Sequence, residues 1–173
     1  MDAAAKVIRH LENQGVAAAM IGGLALGAHG VARATLDADI LVAEPAVLAA
    51  EFWIALPELG APEIRRGDAD DPLLGVVRFT AADEPVDVIV GRGTWIVAVL
   101  ERRLRIEALG HSLPLVDRAD LVLLKLFAAG PQDLLDVRLL LAADQGDLRR
   151  TVEQRLPSVP AAVRTIWQTL QSP

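Results

Sequence analysis

Two glycines followed by two aspartates are the residues of this chain whose types and spacing point to chemistry. Gly22 and Gly23 come directly after an apolar run, and Asp37 and Asp39 stand at the entry to a second apolar run. Carboxylates at positions i and i+2 of a strand point to the same face of a sheet. Their hard oxygens suit Mg²⁺, which completes its coordination with water and substrate phosphates. The stretch therefore predicts a phosphate-holding turn that faces a divalent metal, Mg²⁺ or Mn²⁺.

A third carboxylate, Asp87, is the only charged residue in the apolar run of residues 86–90. An unpaired buried carboxylate is costly, so an aspartate at this position needs a function or a partner. With Asp37 and Asp39 it would complete a two-metal site, in which ions about 3.5–4 Å apart stabilise the attacking and leaving oxygens of an in-line displacement. Alternatively, Asp87 caps a backbone group or pairs with an arginine.

The two residue pairs must be positioned by short elements on either side of them. Residues 16–21 form an apolar run bounded by glycines, which favours a buried strand, and residues 38–42 favour another. Between them, the glycine turn leads into a short helix over residues 24–29, which Gly30 ends. The helix, turn and strand would bring the glycines and the aspartates to one end of the sheet.

The rest of the chain divides into a mixed part and a helical part. Strands over residues 76–81 and 86–90, joined by a turn, predict a hairpin that carries Asp87. From residue 118 onwards the apolar residues recur at helical spacing. We further expect helices over residues 2–14, 44–56 and 94–103, strands over 104–109 and 112–116, and an exposed connection over 57–72.

Composition and charge exclude several classes of function. The net charge is −6, whereas a general nucleic-acid binder usually carries a basic surface, so any contact with a polynucleotide must be local. Without cysteine, the chain has no disulfide, no thiolate zinc site and no cysteine nucleophile. It shows neither a secretory signal nor an apolar run of about 18 residues, so we expect a cytoplasmic protein without a membrane segment.

The order of these residues resembles the motif of the DNA polymerase β-like nucleotidyltransferases, which is Gly-Gly or Gly-Ser, a spacer, Asp-x-Asp or Asp-x-Glu, and a later single Asp on a strand. The stretch from Arg33 to Asp39 is similar to the Arg-x-Thr-x-Asp-x-Asp of the abortive-infection (AbiEii-type) and toxin–antitoxin nucleotidyltransferases. A helix with Lys125, followed by a helix with Asp133 and Asp136, also resembles that group. The resemblance covers residues 16–141.

The resemblance implies an α/β (α+β) fold with a nucleotidyltransferase-type mixed β-sheet flanked by helices. Residues 1–116 would form the nucleotidyltransferase core. Residues 117–173 would form a C-terminal helical region packed on that core.

The resemblance also implies an enzyme that moves a nucleoside monophosphate from a nucleoside triphosphate (NTP) to a hydroxyl acceptor. The backbone at Gly22 and Gly23 would hold the phosphates, and a helix N-terminus favours anions in any case. Asp37 and Asp39 would bind the Mg²⁺ that carries the triphosphate. Asp87 would bind a second ion and help to deprotonate the attacking hydroxyl.

Four further residues complete the nucleotide-binding set that the resemblance implies: Arg33, Thr35, Lys125 and Asp136. Lys125 would meet the triphosphate; alternatively, it is a lysine whose charge reaches solvent along an amphipathic helix. Asp136 would orient Lys125 or lie on a solvated helix face. Arg33 would meet phosphate or pair with one of the aspartates.

One departure from the family pattern bears on activity. Relatives often have an arginine just before the Asp-x-x-Asp pair, where this chain has Ala128-Ala129-Gly130-Pro131-Gln132. The alternative to an enzyme is therefore a non-catalytic module that binds a nucleotide or a partner. For the enzyme, the resemblance leaves open an RNA acceptor such as tRNA, a protein acceptor, a toxin-like role and an antitoxin partner.

Two other phosphate-handling sites are disfavoured by the sequence. Phosphatases of the haloacid dehalogenase type carry Asp-x-Asp at the C-terminal end of an apolar strand, whereas here the pair precedes the apolar run. A Walker-type loop needs Gly-Lys-Ser or Gly-Lys-Thr, which does not occur in this chain.

Overall fold

The computed structural model describes most of the chain. The described residues are 2–31, 34–35, 37–80, 84–108, 110–144 and 146–171. The helices in these ranges are α1 Asp2–Asn13, α2 Gly22–Ala28, α3 Thr94–Glu101, α4 Arg118–Ala128, α5 Pro131–Ala142, α6 Leu148–Arg155 and α7 Ala161–Gln171. The strands are β1 Ala18–Met20, β2 Ala38–Val42, β3 Glu63–Arg66, β4 Leu73–Phe79, β5 Val86–Gly91, β6 Leu104–Ala108 and β7 His111–Leu115.

The strands form one mixed sheet in the order β3-β4-β5-β2-β1-β7-β6. Strand β2 runs parallel to β5, and β1 runs parallel to β7. The other neighbouring pairs are antiparallel. The predicted α/β (α+β) class, with helices and one mixed sheet, is confirmed.

Strand β5 places its valines on one face of the sheet and Asp87 on the other. Val86, Val88 and Val90 alternate along the strand and are fully buried. Because successive side chains of a strand point to opposite faces, Asp87 and Ile89 lie on the other face. The apolar face fixes the register of the strand, and the register fixes where the Asp87 carboxylate lies.

The predicted helix over residues 44–56 is wrong. The Glu44 side chain accepts a hydrogen bond from the Ala46 N–H at 3.1 Å and starts a short 3₁₀ turn at Pro45. Ala49 then adopts an extended conformation, which interrupts the helical path. The buried Trp53 donates from Nε1 to the Val47 carbonyl at 2.7 Å and so links two turns across this break. The 3₁₀ turns span Pro45–Leu48, Ala50–Trp53 and Pro57–Leu59.

The stretch expected to be an exposed connection, residues 57–72, contains β3. The strand has the sequence Glu-Ile-Arg-Arg, with mostly exposed residues and no apolar alternation that would predict it. Among the strands that the structure describes, it lies at one edge of the sheet and pairs with β4. Charged edge strands are common in proteins because they discourage pairing with another sheet.

Contacts among the residues group the chain into two units. The first, here called the sheet unit, comprises Met1–Leu24 and Ala34–Val116 and contains the whole sheet. The second, the helical unit, comprises Ala25–Arg33 and Asp117–Pro173 and contains α4 to α7. The sequence-based division into a core of residues 1–116 and a helical region of residues 117–173 stays a prediction. In the part of the chain that the structure describes, every helix lacks the length and apolar character that a membrane crossing requires.

Candidate functional site

Gly22 and Asp39 lie in direct contact in the sheet unit. Gly22 adopts a φ of +64°, in the left-handed region where residues with a side chain are strained. A Cβ at this position would lie 1.9 Å from Asp39 Oδ2. The Ile21 N–H donates to the Asp39 carbonyl at 2.9 Å and ties the turn to β2. The missing side chain of Gly22 therefore leaves the space that the Asp39 carboxylate fills.

Gly23 makes a second contact with the Thr-x-Asp-x-Asp stretch. A Cβ on Gly23 would lie 2.7 Å from the Thr35 Cβ. Thr35 in turn donates from Oγ1 to the Asp37 carbonyl at 3.3 Å. The two glycines thus pack against different residues of one stretch, and the structure brings together the two halves of the motif.

A row of four charged residues crosses the sheet from its edge to β2. Asp39 on β2 is in register with Asp87 on β5, and Asp87 is in register with Arg78 on β4. Arg78 is in turn in register with Glu63 on the edge strand β3. Directly opposite residues on neighbouring strands share a face, so these side chains form one row, here called the charged row.

Arg78 and Asp87 form a two-pronged ion pair within the charged row. Arg78 donates from Nε to Asp87 Oδ1 at 2.7 Å and from Nη2 to Oδ2 at 2.5 Å. The hydrogen bonds and charge of Asp87 raise the pKa of the Arg78 guanidinium above its ordinary value, and burial opposes this shift only in part. The charges of Asp37 and Glu63 raise the pKa of Arg78 further. Arg78 is therefore a permanent cation beside the aspartates.

A cavity of about 440 Å³ opens beside this ion pair. It lies in the sheet unit, and its lining includes Arg78, Asp87, Glu63 and Arg65. The cavity borders the carboxylate that the sequence singled out, and it is large enough to admit part of a small molecule.

The fit of these residues to a divalent metal is uneven. Carboxylate oxygens are the right donors for Mg²⁺, and the Gly22 turn leaves the Asp39 carboxylate its space. The third carboxylate, Asp87, has both oxygens bonded to Arg78. Among the described residues, no group of three or more histidine, cysteine, aspartate and glutamate side chains is arranged to hold a metal ion. Asp37 and Asp39 carry donors of the right chemistry for a cation, whereas Asp87 is paired with the competing cation Arg78.

Lys125 and Asp136 meet in the helical unit. Lys125 Nζ lies 2.7 Å from Asp136 Oδ2 and 2.9 Å from Asp133 Oδ1. The Lys125 side chain is only 8% exposed, so the alternative of a lysine reaching into solvent is wrong. Asp136 is fully buried and also accepts a hydrogen bond from Gln132 Nε2 at 3.0 Å. Of the alternatives for Asp136, the orientation of Lys125 is the one the structure shows.

Two outcomes concern arginines. Arg33, a predicted nucleotide-binding residue, lies outside the described residues. The arginine partner, one of the alternatives for Asp87, is Arg78, which the sequence analysis does not single out. The sequence does contain a signal for this pair: each strand of the predicted hairpin has a single charged residue, Arg78 in the first and Asp87 in the second. The first strand of the hairpin is predicted to end at residue 81 and the turn to cover residues 82–85, which implies a different register and hides that pairing.

Comparisons with known proteins rest on structure alone. No protein-family model matches the sequence, and no curated protein matches it either. The antibiotic-resistance factor ANT(2″)-Ia, in complex with adenylyl-2″-tobramycin, matches with a TM-score of 0.53 at 14% identity over 94% of this chain and 95% of that one. Its solution structure matches with a TM-score of 0.52 at 13% identity over 96% and 91%.

A third similar structure is that of TM1012 from Thermotoga maritima, a proposed nucleotidyltransferase. It matches with a TM-score of 0.56 at 16% identity over 80% of this chain and 90% of that one. At these identities the likeness shows that the chain shares the fold of nucleotidyltransferases.

Proposed function

We propose that this protein is a nucleotidyltransferase, which moves a nucleoside monophosphate from an NTP to a hydroxyl acceptor. The contact between Gly22 and Asp39 carries the proposal, because it sets a bare backbone turn directly against a carboxylate. The fold shared with ANT(2″)-Ia, whose complex holds an adenylylated aminoglycoside, supports the same class of reaction.

The donor half of the reaction is assigned to the glycine turn and the first two aspartates. Gly22 and Gly23 would let the phosphates approach the backbone closely, since neither carries a side chain. Asp37 and Asp39 would hold Mg²⁺ or Mn²⁺, which would neutralise phosphate charge when bound. With little covalent chemistry for the protein to perform, positioning and electrostatic stabilisation would supply most of the rate enhancement.

The acceptor half is assigned to Asp87. The acceptor hydroxyl oxygen would form a bond to the α-phosphorus, and the bond to the β-phosphate oxygen would break, releasing pyrophosphate. The hydroxyl proton would pass to the Asp87 carboxylate. The cavity beside Arg78 and Asp87 supports this assignment, because it borders that carboxylate.

Four other residues are proposed to bind the nucleotide. Thr35 is held beside Gly23, which places it next to the phosphate turn. Arg33 and Lys125 would supply positive charge, and Asp136 would orient Lys125 through its 2.7 Å ion pair. Since Lys125 already has two carboxylate partners, a phosphate would have to compete with them.

The finer assignment follows the AbiEii-type and toxin–antitoxin resemblance. We propose a cytoplasmic, toxin-like enzyme whose acceptor is a hydroxyl of RNA, such as tRNA, or of a protein, and which an antitoxin would hold in check. The Arg-x-Thr-x-Asp-x-Asp stretch supports this group within the nucleotidyltransferases.

A non-catalytic nucleotide-binding module is the second candidate, and one observation favours it. Asp87 is held by Arg78 at both oxygens, so the proposed proton acceptor is already occupied. Titration calorimetry with each NTP, with and without Mg²⁺, followed by an assay for pyrophosphate, separates the two functions. The enzyme is expected to bind an NTP with Mg²⁺ and to release pyrophosphate when an acceptor is supplied. Binding without pyrophosphate under every acceptor would favour the module.

A further inference from the structure

We propose that Arg78 is the resident cation of Asp87 and competes with a divalent metal ion for that carboxylate. The inference rests on the proposed function, in which Asp37 and Asp39 would hold one ion, and it concerns a second ion that would bind at Asp87, the carboxylate proposed to take the acceptor's proton. It assigns a positioning role to a residue outside the Gly-Gly and Asp-x-Asp motif. It also predicts that the two ions bind with unequal affinity.

Both carboxylate oxygens of Asp87 accept a hydrogen bond from Arg78. Arg78 uses Nε for Asp87 Oδ1, at 2.7 Å, and Nη2 for Oδ2, at 2.5 Å. A metal ion coordinated by Asp87 needs at least one of these oxygens. Two-pronged arginine–carboxylate pairs are among the strong charge-assisted hydrogen bonds, and the guanidinium sets a positive charge beside both oxygens, so a metal ion has to compete with a firmly held cation.

The sheet itself maintains the pair. Arg78 and Asp87 are directly opposite each other on the antiparallel strands β4 and β5. The Asp87 side chain is 11% exposed, so its charge needs a partner when no metal is bound. Removing Arg78 would leave a largely buried carboxylate next to Asp39, and like charges at close range repel each other.

Arg78 has open space and a second carboxylate beside it if a metal displaces it from Asp87. Its side chain is 46% exposed and lines the cavity of about 440 Å³. Glu63 lies opposite Arg78 on β3 and lines the same cavity, so it offers a second carboxylate to the guanidinium. The charged row therefore contains one cation with a carboxylate on each side, and the metal would shift it from Asp87 towards Glu63.

Titration of Mn²⁺ into the nucleotide-free full-length chain, followed by calorimetry, tests the inference. The wild type is expected to bind one ion more tightly than a second. Arg78→Gln removes the competing cation, and the second ion is expected to bind about tenfold tighter, since hydrogen bonds to charged groups contribute at about that level. Arg78→Lys keeps the charge without the two-pronged geometry and is expected to give an intermediate affinity; it carries the test if Arg78→Gln fails to fold.

Arg65→Gln is the matched control, because Arg65 lines the same cavity but lies opposite Val76 rather than Asp87. It removes the same charge and is expected to leave the second ion at its wild-type affinity. Equal second-ion affinity in the wild type and both Arg78 variants contradicts the inference alone. An increase in second-ion affinity in Arg65→Gln as large as that in Arg78→Gln also contradicts the inference. Absence of ion binding in every variant contradicts both the inference and the metal dependence of the proposed function.

Discussion

At the scale of single residues, the candidate site depends on the absence of a side chain at Gly22. The Asp39 carboxylate fills the space where a Cβ would stand, and the φ of Gly22 lies in the left-handed region. Both features call for glycine at this position for reasons that are independent of any ligand. The glycine and the carboxylate can therefore be tested as one structural pair.

We expect Gly22→Ala to lower the free energy of unfolding by about 2–4 kcal/mol, from left-handed strain and the clash with Asp39. Gly27→Ala is the control in the same helix, because a Cβ there meets nothing within 4 Å and its φ is ordinary. That variant is expected to be neutral or up to about 1 kcal/mol more stable. Urea unfolding of both variants measures the difference, and equal stabilities would contradict the described contact.

Asp87 shows what the sequence could and could not predict at this scale. A lone aspartate in an apolar strand indicates a metal ion, a backbone cap or an arginine partner. The choice between them depended on the register of the β4–β5 hairpin. Phe79 is opposite Val86, whereas a first strand running to residue 81 would imply a different register. Residues 81–83 lie outside the described residues. Register across a turn follows from backbone geometry, which residue types around Pro85 specified only weakly.

At the scale of elements, helices α4 and α5 are joined by the ion pairs of Lys125. The lysine comes from α4, and its partners Asp133 and Asp136 come from α5. All three charges are at least partly buried, which makes the loss of one partner more costly than the loss of a surface pair. This group has a structural function in the helical unit whether or not Lys125 also meets a nucleotide.

Lys125→Met is expected to destabilise the protein by about 3–5 kcal/mol, because it leaves the fully buried Asp136 without its cation. The double variant Lys125→Met with Asp136→Asn should recover part of that loss, since the stranded charge is gone. Arg150→Ala provides the control: its pair with Asp147 is about two-thirds exposed on both sides and should change stability by less than about 1 kcal/mol. Thermal unfolding of the variants measures these differences, and a fully additive double variant would contradict the coupling.

Apolar periodicity predicted the elements that bury a face and missed those that do not. Helix α1 follows the prediction closely because its apolar residues recur at the helical period, and strand β2 does so because it is a short apolar run. Strand β3 is charged and lies at the sheet edge, so its sequence carries no such period. The 3₁₀ turns that begin at Pro45 depend on capping and on one indole hydrogen bond, neither of which periodicity records.

At the scale of the whole molecule, the fold leaves the substrate open, and the net charge bears on how an anionic substrate could bind. The fold is shared with structures at only 13–16% identity, so it does not identify a substrate. The net charge of −6 repels an NTP at long range. In the proposed function, recognition of the NTP would therefore come from local cations, namely the metal at Asp37 and Asp39 together with Arg33 and Lys125.

The most direct test of the account is transfer of label from an α-labelled NTP. The full-length protein is incubated with Mg²⁺, each NTP in turn and a cell lysate or total RNA, beside the variant Asp39→Asn. We predict that one NTP labels an acceptor with release of pyrophosphate, and that Asp39→Asn reduces the labelling at least about 100-fold, as expected when a group that stabilises the transition state is lost. Labelling that is unchanged in Asp39→Asn would contradict the account, as would no labelling of any acceptor by any NTP.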